Sequence, residues 1–391
     1  MILLRFLSFA LGAVIVAGTL FSAVETLVLP RSAPDALTRL VFVSVRRVFN
    51  LRLRWARSYQ ERDQILAFYA PIGLLVLLST WLGLVFIGYT GILWGVGAGS
   101  WYAAFRISGS SLLTLGFAAV DGLPMTVLAF SEAAFGLILV AMLIAYLPTM
   151  YAAFSRRETP VTMLEVRASN PPSAVEMILR FHRIHGLDRL SEQWRTWEVW
   201  FADIEESHTS LPALVFFRSP RPDRSWVTAG GAVLDAASLT LSAVDVPYDA
   251  SGALCIRAGF LALRSIADFF SIPYNPDPHP GDSISITRQE FDAACDRLAE
   301  AGVPLKPDRE QAWRDFAGWR VNYDSVLLDL AGLIVVPTAP WSGDRATSFR
   351  TPPLVRPILK VGRRRPKTLS GAANTSQDPP LDRRRTTADR R

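Results

Sequence analysis

Histidine and cysteine are scarce in this chain, four and two residues, so metal and nucleophile chemistry has few places to reside. His182 and His185 stand three residues apart at a predicted helix. No third or fourth ligand follows at a usable spacing, and a packing or surface role is the expectation. Glu205-Glu206-x-His208 reads as a charged helix end, where such side chains are ordinarily solvated. Cys255 and Cys295 are too few for a disulfide framework and, with so little histidine, for a zinc site. The phosphate-loop, dinucleotide-binding, Gly-x-Ser-x-Gly and His-Glu-x-x-His motifs are all absent. The chain is therefore expected to be no enzyme and to carry no cofactor or metal. What remains is a run of small and polar residues around Ser110, Ser111, Thr114 and Gly116, set between two strongly apolar stretches.

Those stretches belong to a biased composition. Half of the 391 residues are apolar, only 19% are charged, and the mean hydropathy is +0.24. Soluble domains carry about a quarter charged residues, and here the apolar excess falls mostly before residue 155. A single soluble globule is excluded, and a membrane protein with a sizeable soluble part is implied. A bilayer core about 30 Å thick needs roughly 20 apolar residues in a helix. Residues 6–29, 65–87 and 126–153 meet that requirement, the second containing Pro71 and the third Glu132 and Pro148. The first run exceeds the ~7–15 apolar residues of a secretory signal and is read as a retained span.

Arginine placement sets the expected orientation. Segment 30–64 is rich in arginine (Arg31, Arg39, Arg46, Arg47, Arg52, Arg54, Arg57, Arg62), whereas 90–125 holds only Arg106. By the positive-inside rule, 30–64 and everything after Arg156-Arg157 lie in the cytoplasm, with the N-terminus and 90–125 outside. Multi-pass insertion in a plasma (inner) membrane is the implied location.

Residues 98–113 are apolar enough to enter a bilayer but too short to cross it. A turn of small residues and a returning span follow, which together describe a re-entrant loop. Backbone that is not helical at membrane depth is tolerated only where it packs in protein or lines a water path. This arrangement of span, short helix, Ser111-x-x-Thr114-Leu115-Gly116-Phe117 and span resembles the pore module of the potassium-channel superfamily. Glu132-x3-Gly136 resembles the start of that family's inner helix, and the resemblance covers about residues 65–155. It implies a selectivity filter at Thr114, Leu115, Gly116, Phe117 and Ala118, on a pore helix bearing Ser110 and Ser111. Carbonyl oxygens there would replace the water shell of a monovalent cation, K+ in the first instance, and glycine would turn them inward by adopting positive φ. Glu132 and Asp121 would support the filter, and Gly136 and Pro148 would be bending points of the inner helix. Close helix packing is the alternative for Gly136. The family's second filter glycine is replaced by Ala118, and alanine is disfavoured at positive φ. One pore loop per chain implies a homotetramer.

Outside that module, residues 36–57 read as an amphipathic helix lying on the membrane. Leu37, Leu40, Val41, Val45, Val48, Leu51 and Trp55 form its apolar face, and Arg39, Arg46, Arg47, Arg54 and Arg57 face anionic headgroups. Residues 156–339 read as an all-α cytoplasmic domain of about six helices, at 174–185, 188–206, 229–244, 252–270, 287–301 and 308–333. The aromatic stripe Trp194, Trp197, Trp200 and Phe201 suits a core. The proline-rich stretch 272–282 reads as a connector. Segment 342–391 holds 13 basic residues against four Asp, leaving −3 of the total +6 for the rest. Residues 340–391 are expected to be a disordered basic tail that most simply touches anionic lipid, with nucleic acid the alternative for the tail; for the folded part no nucleic-acid partner is expected.

The expected fold is thus an all-α membrane protein. It divides into a first span (1–30), a basic amphipathic segment (31–64), an ion-channel-like module (65–155), a cytoplasmic helical domain (156–339) and the tail. Two functions remain open: a potassium or weakly selective cation channel, and a non-conducting membrane-anchored sensor or scaffold acting through the helical domain. The sequence names no cytoplasmic ligand or partner.

Overall fold

A computed structural model describes residues 1–29 and 35–346; of the tail expected at 340–391, residues 347–391 lie outside the described residues. Thirteen α-helices occur among them, with a single isolated β-bridge between Val244 and Leu305. The long apolar elements are α1 (Ile2–Leu27), α4 (Tyr69–Val96) and α6 (Leu123–Ala168). Between the first two lie α2 (Ala36–Leu53) and α3 (Tyr59–Ala67), and between the last two lies α5 (Trp101–Leu112). The remaining helices are α7 (Ala174–Arg183), α8 (Leu190–Ser210), α9 (Trp226–Ala243), α10 (Ala250–Phe269), α11 (Arg288–Glu300), α12 (Arg309–Arg320) and α13 (Asp324–Ile334).

Helices α1, α4 (continued backwards by α3) and α6 are long and apolar enough to cross a bilayer, and so is α10. The first three leave large apolar side chains outward, among them Phe6, Leu11, Phe21, Leu75, Ile87, Phe130, Leu137 and Ile144. Such faces are stable only against lipid or another apolar surface. Half of the apolar stretch of α10 is instead covered by protein, and α10 packs on α8, α9 and α13. Its sequence also carries Arg257, Arg264 and Asp268.

Between α1 and α4 the backbones nearly touch. A Cβ on Gly12 would lie 2.3 Å from the Gly88 carbonyl oxygen, and the Ser8 hydroxyl donates to the Gly91 carbonyl at 3.0 Å. Close approach through small residues is how helices associate where the hydrophobic effect offers no gain. A polar chain ties the lower end of the pair. Trp81 Nε1 donates to Ser22 Oγ (3.1 Å), and Ser22 donates to Asp35 Oδ2 (2.5 Å). The same carboxylate caps α2 by accepting from the amides of Leu37 and Thr38.

Helix α2 is amphipathic, but its buried stripe differs from the one expected. Thr38, Val41, Val43, Val45 and Arg46 are buried, whereas Leu40, Val48, Leu51 and Trp55 are exposed. Phe42 of α2 packs on Gly73 of α4, and the Tyr69 hydroxyl donates to the Phe42 carbonyl. That contact rolls Arg46 inward, away from any headgroup.

In the second half of the chain α9 is the axis. Nearly all of its residues are buried, and α7, α8, α10, α12 and α13 pack around it. Trp194, Trp197, Trp200 and Phe201 of α8 are core residues. Arg320 is fully buried and bonds Asp235 of α9, Asp324 Oδ1 (2.8 Å) and the Trp341 carbonyl (2.6 Å). Tyr323 completes the cluster by donating to Asp235 (2.8 Å).

Several boundaries depart from the sequence expectation; α2 stops at Leu53, α4 runs on to Val96 and α9 begins at Trp226. Helix α6 runs unbroken through residue 155 to Ala168. The stretch 308–333 is two helices that part at Val321-Asn322-Tyr323. Residues 340–346, expected in the tail, are ordered: Trp341 is buried and Arg345 pairs with Glu290 at 2.7 Å.

Candidate functional site

All the predicted site residues except Pro148 lie on α5, on the loop after it or on the first turns of α6. Gly97, in the left-handed region, ends α4, and Ser100 caps α5 by accepting from the Ala103 amide at 3.1 Å. At 12 residues α5 rises about 18 Å, well short of the ~30 Å needed to cross. It is wedged between α4 and α6. Phe86 and Phe105 meet edge to face with centroids 4.9 Å apart, and Tyr89 of α4 is hydrogen-bonded to Ser131 of α6 at 2.8 Å.

Glu132 is fully buried on α6 and accepts a 2.5 Å hydrogen bond at Oε1 from Ser108, whose hydroxyl also lies 3.1 Å from the Phe86 carbonyl. Glu132 therefore fastens the body of α5 and makes no hydrogen bond to the loop beyond it among the described residues. Gly136 lies one turn further along α6. A Cβ there would fall 2.9 Å from both the carbonyl oxygen and Cδ1 of Leu112. The last turn of α5 rests on the bare backbone of α6 at this point. Pro148 lies inside α6, and a second proline, Pro160, follows within the same helix.

The loop itself is organised by Ser110. Its carbonyl accepts from the amides of Leu115 (2.8 Å) and Gly116 (3.3 Å), and its hydroxyl accepts from the Ala118 amide (3.1 Å). Ser111 accepts from the Thr114 amide at 3.0 Å. Thr114 (φ 55°) and Gly116 (φ 70°) adopt left-handed backbone, and Ala118 does not. Alanine at 118 thus carries no positive-φ penalty in this chain; the strained position is Thr114. No donor among the described residues meets the carbonyls of Thr114, Leu115, Gly116 or Phe117. Leu115 and Phe117 are exposed, as is Asp121. Arg106 of α5 stacks over Tyr102, four residues earlier on the same helix, at 5.9 Å, and over Phe117 at 5.6 Å, the second a contact that nothing in the sequence spacing signalled.

Other sequence candidates resolve differently. His208, expected at a solvated helix end, is fully buried. Its ring packs on Trp226 at 4.7 Å, with Ser207 Oγ 3.1 Å from Nδ1 and Arg157 Nη1 3.4 Å from Nε2. Burial and the Arg157 charge hold its pKa well below the ordinary histidine value. Arg157 is itself buried on α6 and donates to the carbonyls of Leu214 (2.9 Å) and Phe217 (2.7 Å). Sequence reasoning missed this clamp between α6 and the helical domain. His185 is exposed, and no group of three His, Cys, Asp or Glu among the described residues could hold a metal.

No family model, curated protein or solved structure matches this chain. The class that the fold defines is an all-α protein with several helices long and apolar enough to cross a membrane.

Proposed function

We propose that the chain is one subunit of a cation-conducting pore, a homotetramer in which the loop 114–118 of each copy faces a common axis. The observation that carries this reading is that the four carbonyls of Thr114–Phe117 accept from no donor among the described residues, on exposed residues. They lie on a loop with two left-handed residues, fastened by Ser110 to a helix too short to cross a bilayer. Unsatisfied carbonyls at membrane depth are costly unless they meet water or ions, and carbonyl rings are a general means of replacing an ion's hydration shell. The exposed Leu115 and Phe117 give neighbouring copies something to pack on. In this arrangement α1, α4 and α6 span the membrane, α10 stays within the helical domain, and the N-terminus and loop 97–122 face outward. The helical domain acts on the pore through the Arg157 clamp on α6. Potassium is the ion the motif resemblance favours.

The second reading is a membrane-anchored scaffold that does not conduct and acts through the helical domain; Ala118, which is free of positive φ, does not decide between the two. Subunit number separates the two: native mass measurement in nanodiscs should return four copies on the pore reading. A monomer or dimer cannot build a fourfold filter and would remove it.

A further inference from the structure

Between α2, the start of α4 and segment 215–226 lies a small cavity walled by three arginines of unequal standing. Arg218 is fully matched. It bonds Asp63, the carbonyls of Ile334 (2.6 Å) and Val335 (2.8 Å), and the Tyr59 hydroxyl (2.7 Å). Arg224 is matched by Glu165 and by Thr162 Oγ1 at 3.0 Å. Arg46 is not. It gives one N–H to the Leu333 carbonyl (3.1 Å) and lies over the Tyr69 ring at 5.2 Å. No carboxylate pairs with it among the described residues, and its Nε meets no acceptor. The like charge of Arg218 acts on it, and burial together with that charge pushes its pKa down.

Arg46 is only 7% exposed, so a guanidinium is held out of water without a counter-charge, a strongly unfavourable arrangement. The Ser219 hydroxyl lines the same cavity, is 9% exposed and is likewise without a partner among the described residues. Trp226, the first residue of α9, lines it too. The positive end of an 18-residue helix therefore adds to the same potential. Two residues with unmatched donors and the first residue of α9 line one cavity, and the acids nearby, Asp63 and Glu165, are already committed to Arg218 and Arg224.

We infer that this cavity is a binding site for a small anion, held by Arg46 Nε–H, the Ser219 hydroxyl and the N-terminal end of α9. Its room, about 20 Å³, admits one monatomic ion or one oxygen of a larger one. Chloride and the oxygen of a phosphate group thus present the same chemistry to it. The occupant would join α2 and the foot of α4 to the helical domain at the place where Arg218 already holds α3 to α13. The site stands whether or not the chain conducts.

The test uses the full chain purified in detergent, its thermal unfolding followed while gluconate is exchanged for chloride, and separately for inorganic phosphate, at constant ionic strength. A parallel arm compares mixed micelles of phosphatidylglycerol with phosphatidylcholine. The expected result is a saturable rise of several degrees with chloride or phosphate. It should be lost in Arg46→Gln, reduced in Ser219→Ala and kept in Arg47→Gln, which alters an exposed neighbour. A rise confined to phosphatidylglycerol, and lost in the same variants, would make the occupant a headgroup phosphate. Absence of any rise, or an undiminished rise in the Arg46 and Ser219 variants, would overturn the inference. Should Arg46→Gln fail to fold, Ser219→Ala carries the comparison.

Discussion

Two glycine-to-alanine changes should act in opposite directions, because one Cβ meets backbone and the other meets nothing. At Gly83 of α4 no heavy atom lies within 4 Å of the added carbon, so only helix propensity changes. That gain is at most about 1 kcal/mol. At Gly136 the same carbon would lie 2.9 Å from the Leu112 carbonyl oxygen and 2.9 Å from its Cδ1. The leucine methyl can turn aside, but the carbonyl cannot. Relieving the contact to an ordinary ~3.4 Å means moving the end of α5 outward by roughly half an ångström, against Phe86 on its other side. Overpacking of this kind costs about 1–3 kcal/mol. Set against the propensity gain, Gly136→Ala should be less stable than Gly83→Ala by about 1–3 kcal/mol. For a chain of this size that corresponds to a midpoint roughly 1–4 °C lower. Thermal unfolding in detergent, read by the loss of the monodisperse peak in size-exclusion chromatography, measures the difference directly. If the two variants melt together, α5 is not seated on α6 as described, and the loop it carries is not where it has been placed.

Four further outcomes follow from the same geometry. Gly12→Leu should separate α1 from α4, since its Cβ alone would stand 2.3 Å from a backbone oxygen; protease accessibility of the first helix should rise sharply. Arg320→Met leaves Asp235 buried without its cation and should cost about 3–5 kcal/mol, read as a large loss of denaturant midpoint. His208 remains neutral when folded but protonates near pH 6.5 when unfolded. Stability should therefore fall as pH drops below about 6.5, by up to ~1.4 kcal/mol per unit, and His208→Gln should flatten that limb of the profile. Arg106→Gln removes a positive charge stacked on Phe117 and should raise cation flux through a working pore; unchanged flux would place that ring away from the ion path.

Much of the architecture was legible because it depends on length and composition alone. Three long apolar helices and a shorter one between the second and third are visible without knowing what packs on what. The alternation of Trp194, Trp197 and Phe201 likewise announces a buried face. What was not legible depends on a partner's position. Periodicity shows that α2 has two faces, but only the seat of Phe42 on Gly73 decides that Arg46 turns inward while Leu40 and Trp55 remain outside. Glu132 reads as a brace for the loop, yet the carboxylate reaches Ser108 on the body of α5, and Ser110 performs the bracing. His208 looks like a surface residue at a charged helix end until Arg157, 51 positions earlier, arrives beside it. The break between α12 and α13 carries neither glycine nor proline. It arises where Arg320 and Tyr323 both turn toward Asp235.

The pore reading is tested most directly by ion flux into liposomes holding the purified protein, with potassium and sodium compared, and Gly116→Asp as the variant. Gly116 needs its left-handed backbone, and a carboxylate there would disorder the carbonyl row. Passage of potassium, or of both cations, that disappears in Gly116→Asp is the predicted result. No flux of either ion from a folded tetramer, or flux that Gly116→Asp leaves intact, would contradict it.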